Sequence, residues 1–141
     1  MKTIRPRIWI KTCMAQFERK ILCGIKVGTI RPWPQVLPEI GDTIQLNKWS
    51  GLPYRSKQLR IASYFIKGVF PVLIHPDGMD VEIPGKNLRR SIISSNRKHR
   101  DTLNNVAIGD GFEDWPEMLT WFSNRYRLPF RGVWIYWGPI V

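Results

Sequence analysis

Apolar and polar residues alternate over several short stretches of the chain, and this alternation predicts β-strands. The clearest case is residues 43–49, where Ile44 and Leu46 lie two positions apart. Asp77-Gly78 is a two-residue hairpin signal, so residues 79–83 are expected to pair with the strand before them. The other stretches that predict strands are 2–12, 27–31, 59–66, 70–74 and 131–137.

A different spacing, of three or four residues, predicts three short helices. Residues 14–23 carry apolar residues at helical spacing, and Gly24 stands where a helix commonly ends in a left-handed glycine. A second helix-like stretch covers residues 101–107. Asp114, with Glu117 three positions later, has the pattern of a capping box and predicts the start of a third helix.

The predicted order is strand, short helix, several strands, two short helices, strand, with Pro- and Gly-rich turns between them. Many short strands with few helices predict an α+β fold, here a small mixed β-barrel whose ends are closed by the short helices. A length of 141 residues fits one domain, so residues 1–141 are taken as a single unit.

Charge is the strongest signal in the composition. Lys and Arg number 22 against 11 acidic residues, which gives a formal charge of +11. Such a surface attracts polyanions, of which nucleic acid is the usual one, although a basic protein with no such partner is the alternative. Seven tryptophans also exceed what one small core readily buries, so exposed stacking surfaces are expected.

The basic residues are densest in residues 84–100, a segment without any acidic residue. We expect an irregular segment here whose edge contacts phosphates, and a solvated basic loop is the alternative. The candidate phosphate contacts are Arg89, Arg90, Arg97, Lys98 and Arg100.

Other classes of function find little support in the sequence. Two cysteines and two histidines are too few to predict a disulfide framework or a zinc site, and no metal or cofactor is expected. The chain shows neither an apolar run near 18 residues nor a secretory signal pattern after Met1. No helix combines a basic face with a long apolar one, so a membrane is not an expected partner. The sequence therefore predicts a cytoplasmic protein.

The stretch CGIKVGTIRPWP, residues 23–34, brings Lys26 and Thr29 close together in the chain. On a regular strand these two side chains would point to opposite faces. A β-bulge at Gly28 would let them converge, and a buried lysine can then activate a threonine hydroxyl as a nucleophile. The alternative is an ordinary Lys and Thr on an exposed strand edge.

Three spaced blocks of the sequence resemble the ASCH domains of the PUA-like superfamily. FERKILCGIKVGTIR at residues 17–31 is similar to the family's aromatic, helix, "I-L-x-G-x-K" and "T-I-R" pattern. EIGDTIQL at residues 39–46 and AIGDGFEDWPEML at residues 107–119 resemble two further family blocks, and the aromatic strand WIYW follows. The likeness covers nearly the whole chain, with residues 50–100 longer than in small members.

This resemblance implies a β-barrel with a cleft beside the first helix and the TIR strand. Members of the family are associated with RNA binding, with ribonuclease activity and, in one branch, with amide hydrolysis of N4-acetylcytidine. Lys26 and Thr29 match that branch's lysine and threonine, and its glutamate position falls at Asp110. Asp110 is one methylene shorter, and a misplacement near 1 Å can cost about 100-fold in rate. Glu113 would substitute only if the turn presented it inward.

Four further residues are candidate ligand contacts. Arg31 is expected either to hold a phosphate or carbonyl, or to pair with Asp42 or Asp110. Trp33, between two prolines, is a candidate base-stacking wall, or else a hydrophobic plug on the barrel mouth. Trp49 and Tyr54 could extend the stacking platform.

Three functions follow from these features. The first is an RNA- or modified-nucleoside-binding domain, with DNA as a further ligand class. The second is a hydrolase, an amidohydrolase or ribonuclease, that uses Lys26, Thr29 and Asp110. The third is a basic module that docks an acidic protein.

Overall fold

The computed structural model of the chain describes residues 6–83, 88–93 and 97–139, of which residue 83, residues 88–93 and residues 97–101 are described as backbone. The strands are β1 (Ile8–Thr12), β2 (Gly28–Pro32), β3 (Thr43–Trp49), β4 (Gln58–Phe65), β5 (Gly68–His75), β6 (Gly78–Ile83), β7 (Leu88–Ile93) and β8 (Phe130–Tyr136). The helices are α1 (Glu18–Leu22), α2 (Arg97–Asp110) and α3 (Trp115–Arg125), and a 3-10 turn (Ala15–Phe17) precedes α1. The predicted α+β class is confirmed.

The strands of the described residues form two sheets. One has the order β1-β3-β4, with β1 parallel to β3 and β3 antiparallel to β4. The other has the order β2-β8-β5-β6-β7 and is antiparallel throughout. Because no ladder between described strands joins the two sheets, the closed barrel expected from the sequence is not confirmed.

One continuous core joins both sheets to the helices. Ile44 and Leu46 of β3, Ile135 of β8, and Phe122 and Met118 of α3 are all essentially without exposure. The burial of each such side chain contributes about 1.5–3 kcal/mol. The apolar residues that alternate in the sequence of β3 therefore lie on the face that this strand turns to the core.

Local signals in the sequence mark the end of the first predicted helix and the start of the third. The predicted first helix is a 3-10 turn followed by α1, and Gly24 after it has φ +82°, the left-handed geometry expected of a helix end. Asp114 caps α3, since its carboxylate accepts from the Glu117 N–H at 2.9 Å.

The prediction of an irregular basic segment at residues 84–100 is wrong for its described parts. Residues 88–93 form β7, in register with β6 from Gly78↔Ile93 to Ile83↔Leu88. Helix α2 begins at Arg97, four residues before the predicted start at Asp101. The basic residues of β7 interrupt the alternation of apolar residues by which a strand is predicted. The first turn of α2 is polar, so no apolar periodicity indicates where this helix begins.

Candidate functional site

Strand β2 is a regular strand, and the bulge predicted at Gly28 is absent from it. It pairs one residue against one with β8, from Gly28↔Tyr136 to Pro32↔Gly132. The expected cause of convergence between Lys26 and Thr29 is therefore wrong. Lys26 lies two residues before the first paired residue, so the alternation of the strand does not fix its direction.

Backbone hydrogen bonds fix the loop that carries Lys26. The N–H of Lys26 donates to the Lys20 carbonyl at 2.9 Å, which holds the loop against the end of α1. The next residue, Val27, donates to the Gly109 carbonyl and accepts from the Trp137 N–H, both at 2.8 Å. The loop is thus held between α1, α2 and the end of β8.

The Lys26 ammonium is buried and has a full set of hydrogen-bond acceptors. Only 1% of the side chain is exposed, and Nζ donates to the Gly28 carbonyl at 2.8 Å, to the Asp110 carbonyl at 2.5 Å and to Asp110 Oδ1 at 2.7 Å. Nζ also lies 5.0 Å from the ring centre of Phe17 and 5.9 Å from that of Trp137. Three acceptors match the three donors of a charged ammonium.

Asp110 is the buried carboxylate of this pair. It is the last residue of α2, and Gly111 after it turns the chain with φ +106°. Burial raises the pKa of Asp110, while the charge and hydrogen bond of Lys26, the charge of Arg31 and the N–H of Ile30 act against that rise. The carboxyl is thus held where its proton is bound more tightly than in water.

Thr29 is buried beside Arg31, on the face of β2 that lines the cleft. The Arg31 Nε–H donates to Thr29 Oγ1 at 3.1 Å, and Nη2 donates to the Thr12 carbonyl at 3.0 Å and to Cys13 Sγ at 3.6 Å. The structure gives no hydrogen bond between Lys26 and Thr29. The threonine hydroxyl is thus oriented by Arg31 rather than by the lysine.

Lys26, Thr29, Arg31 and Asp110 all line one cleft of about 710 Å³. A volume of this size accommodates a small molecule or a single nucleotide unit. Aromatic rings form much of its wall, and these are Phe17, Trp49, Tyr54, Phe112, Trp121, Phe122 and Tyr126. The cleft thus combines charged groups with flat apolar surfaces.

Trp49 and Tyr54 form an aromatic pair that lines this cleft. Their ring centres lie 5.1 Å apart at an interplanar angle of 50°. The Tyr54 residue is 85% exposed, and its φ of +61° is a left-handed conformation that costs a non-glycine residue about 1–3 kcal/mol. An exposed ring held in such a backbone is an accessible stacking surface.

Of the other candidate ligand contacts, Trp33 is not among the described residues that line the cleft. Trp33 is 39% exposed, and the guanidinium of Arg131 lies over its ring at 4.3 Å. The five candidate phosphate contacts lie on β7 and in the first turn of α2, and their side chains fall outside the described part of the structure. These residues are Arg89, Arg90, Arg97, Lys98 and Arg100.

Two carboxylates do not have the alternative roles that the sequence left open for them in the cleft. Asp42 does not meet Arg31, because its carboxylate accepts from the N–H groups of Arg7 and Glu39 and from Trp9 Nε1 at 2.8–3.1 Å. The Glu113 side chain is 73% exposed and pairs with Lys20 at 2.8 Å, so it does not replace the shortened carboxylate in the cleft.

Several cleft residues were not found from the sequence. Lys11 lies near the end of β1 and Cys13 directly follows that strand. Trp121 and Arg125 belong to α3, and Tyr126 directly follows that helix. Only the packing of α3 and the first sheet around β2 shows that these residues share a cavity.

The described residues contain no cluster of three or more His, Cys, Asp or Glu side chains that could hold a metal ion. Among the same residues, no helix has the length and apolar character needed to cross a membrane.

Comparisons of the chain with protein-family models, with curated proteins and with solved structures give no match. The likeness to ASCH domains therefore rests on the sequence blocks described above.

Proposed function

We propose that this protein is an ASCH-like domain, related to the PUA-like barrels, that holds a nucleoside unit in the cleft beside β2. The unit would be an RNA base or a modified nucleoside. The observation that carries the proposal is the single cleft in which Lys26, Thr29, Arg31 and Asp110 lie together with accessible aromatic rings. The sequence blocks imply a pocket beside the first helix and the TIR strand, and the position of this cleft supports that implication. Closure of the sheets into a barrel is part of the proposal only.

The aromatic and cationic residues that line the cleft support a nucleobase as the ligand. Proteins that read single-stranded RNA stack bases on aromatic rings and contact the backbone with cations. Tyr54 supplies an exposed ring and Trp49 a partly buried one beside it. The cleft is lined by four cationic side chains against one carboxylate. The formal charge of +11 favours approach of a polyanion.

Binding is better supported than hydrolysis. All three donors of the Lys26 ammonium are engaged, two of them with Asp110, and a base must first lose a proton before it can accept one. Thr29 Oγ1 accepts from Arg31 and has no hydrogen bond from Lys26. Lys26 and Asp110 in this arrangement shape the cleft and hold it together.

Hydrolysis of an amide or phosphodiester remains the second candidate function. It is favoured by one observation, that Lys26, Thr29 and Asp110 line the same cleft. In this function Thr29 Oγ1 or a water would attack, and the raised pKa of Asp110 would suit it to exchange a proton.

Binding is tested by titration of wild type with cytidine, N4-acetylcytidine and a short single-stranded RNA. The variants are Trp49→Ala and Tyr54→Ala, with Trp33→Ala as the matched control outside the cleft. Loss of one stacking ring costs about 1–3 kcal/mol, so affinity should fall about 5- to 150-fold in the cleft variants only. RNA affinity should also weaken as salt is raised. Equal affinity in all four proteins would contradict the proposal.

Hydrolysis is tested separately by mass spectrometry of the same ligands after incubation with wild type and Thr29→Ala. Turnover that disappears in Thr29→Ala, with binding retained, would establish the second function. Binding without turnover in wild type would leave a binding domain, and equal turnover in both proteins would exclude Thr29 as the nucleophile.

A further inference from the structure

Two cations line the cleft in addition to the Lys26–Asp110 pair, and the charge of one of them, Arg31, also acts on the Asp110 carboxyl. The two are Lys11 of β1 and Arg31 of β2, and β1 and β2 are tied together where Arg31 Nη2 donates to the Thr12 carbonyl at 3.0 Å. Neither residue makes a salt bridge with any carboxylate that the structure describes. The carboxylate of the cleft, Asp110, is held by Lys26.

The donors of Arg31 are only partly used. Nε and Nη2 have acceptors in Thr29, Thr12 and Cys13, while Nη1 has none among the described residues. Every buried side-chain nitrogen or oxygen in the described part of the chain has a partner. Nη1 must therefore be accessible, and its two N–H groups are fixed in direction by the bonds on the other side of the guanidinium.

Lys11, like Arg31, has hydrogen-bond donors that are not used. Its ammonium has no hydrogen-bond acceptor among the described residues, so it too must be accessible, although the residue is about half-buried. Burial lowers the pKa of Lys11, and the neighbouring positive charge of Arg31 lowers it further. Two like charges held together in a concave site disfavour each other, and a bound anion would remove that repulsion.

We propose that Lys11 and Arg31 form a phosphate-binding subsite within the cleft, so that its ligand is a nucleotide rather than a nucleoside. This inference rests on the proposed function for the identity of the base, but the phosphate contact is independent of it. The two N–H groups of Arg31 Nη1 would donate to phosphate oxygens, and the Lys11 ammonium adds a second point charge. The phosphate would come from a mononucleotide or from a phosphodiester of an RNA strand.

The test is a calorimetric titration at constant ionic strength with four probes: cytidine, cytidine 5′-monophosphate, the dinucleotide CpC and inorganic phosphate. The variant is Lys11→Gln, which removes the charge from a side chain without hydrogen bonds and so should leave the fold intact. Lys67→Gln is the matched control, since Lys67 is exposed and lies outside the cleft. A thermal melt of each variant checks that it is folded.

We expect at least one phosphate-bearing nucleotide to bind wild type at least about tenfold more tightly than cytidine, as charge-assisted contacts imply. That advantage should disappear in Lys11→Gln and persist in Lys67→Gln. Preference for the monophosphate would identify a mononucleotide end group, and preference for CpC would identify an internal phosphodiester. Either result supports the subsite.

Two results separate this inference from the proposed function. If cytidine binds but phosphate adds no affinity, or if Lys11→Gln keeps the full advantage, the subsite is overturned and base binding stands. If inorganic phosphate and the nucleotides bind equally and depend on Lys11, while cytidine does not bind, the subsite stands and base binding is overturned.

Discussion

The buried pair of Lys26 and Asp110 makes a strong prediction about stability. Lys26→Met keeps most of the side-chain volume and removes the ammonium. Three oxygens then lose the ammonium as a donor: the carbonyl oxygens of Gly28 and Asp110 and Asp110 Oδ1. None of them gains water in exchange if the fold is kept, because Asp110 is only 4% exposed.

The magnitude follows from the burial of the pair. Removal of one partner from a buried ion pair costs about 3–5 kcal/mol, mainly because the remaining charge has no compensation. For a domain of this length, such a loss lowers the melting temperature by roughly 10–20 °C. Removal of both charges in Lys26→Met/Asp110→Asn should cost less than the sum of the two single substitutions.

The pH dependence of this loss has a definite sign. The pKa of Asp110 in the folded state is raised above its unfolded value of 3.8. The folded state therefore holds the proton more tightly, and stability falls as pH rises from the unfolded pKa through the folded one. Without Lys26, which opposes that rise, the folded pKa moves higher still. The cost of Lys26→Met should be smaller at pH 5 than at pH 8.

The assay is urea unfolding followed by tryptophan fluorescence at pH 5 and pH 8, for wild type, Lys26→Met, Asp110→Asn and the double variant. Lys67→Met is the control for a lysine lost from the surface, with an expected change within about 0.5 kcal/mol. A cost below about 1 kcal/mol for Lys26→Met would refute the reasoning. An equal cost at both pH values would show that the Asp110 proton is not involved.

Three other substitutions test separate parts of the fold by thermal or urea unfolding. Asp42→Ala should cost about 1–3 kcal/mol near neutral pH, since it leaves two N–H groups and the Trp9 indole without an acceptor. Burial alone would raise the pKa of Asp42, but the hydrogen-bond donors around the carboxylate outweigh burial and lower it. The cost of Asp42→Ala should therefore shrink as pH falls through that lowered pKa, and a cost that does not depend on pH would contradict this prediction. Asp114→Ala should cost about 1 kcal/mol through loss of the α3 cap, whereas no change would rule out the cap as a stabilising contact. Gly111→Ala should destabilise by more than about 1 kcal/mol because φ is +106° and a Cβ would lie 2.9 Å from Phe17, and a neutral result would argue against that turn geometry.

Local patterns in the sequence predicted local structure well. Alternation placed β3, the Asp77-Gly78 hairpin placed β6 against β5, and Gly24 and Asp114 marked helix ends. Strand order was not predictable in the same way, because the parallel pairing of β1 with β3 joins segments separated by more than 30 residues. Sheet closure depends on such distant pairings, which leave no local signal.

For the candidate site too, local sequence patterns identified residues but not the contacts that these residues make. Spacing and family resemblance selected Lys26, Thr29, Arg31 and Asp110, which share the cleft. The bulge offered as the reason was wrong, because the loop before β2, held by Lys20 and Gly109, directs the lysine. Hydrogen-bond partners, such as Arg31 for Thr29, are set by packing and could not be read from spacing.

The central claim is that a nucleotide base binds in the cleft. Nuclear magnetic resonance of protein with 15N-labelled tryptophan indoles tests this most directly, with signals assigned by single Trp→Phe variants. On addition of cytidine 5′-monophosphate, the indole signals of Trp49 and Trp121, which line the cleft, should shift and saturate together. The signal of Trp33, which lies under Arg131 outside the cleft, should not move. Saturable shifts at Trp33 with none at Trp49 and Trp121, or no shifts at any indole, would contradict the account.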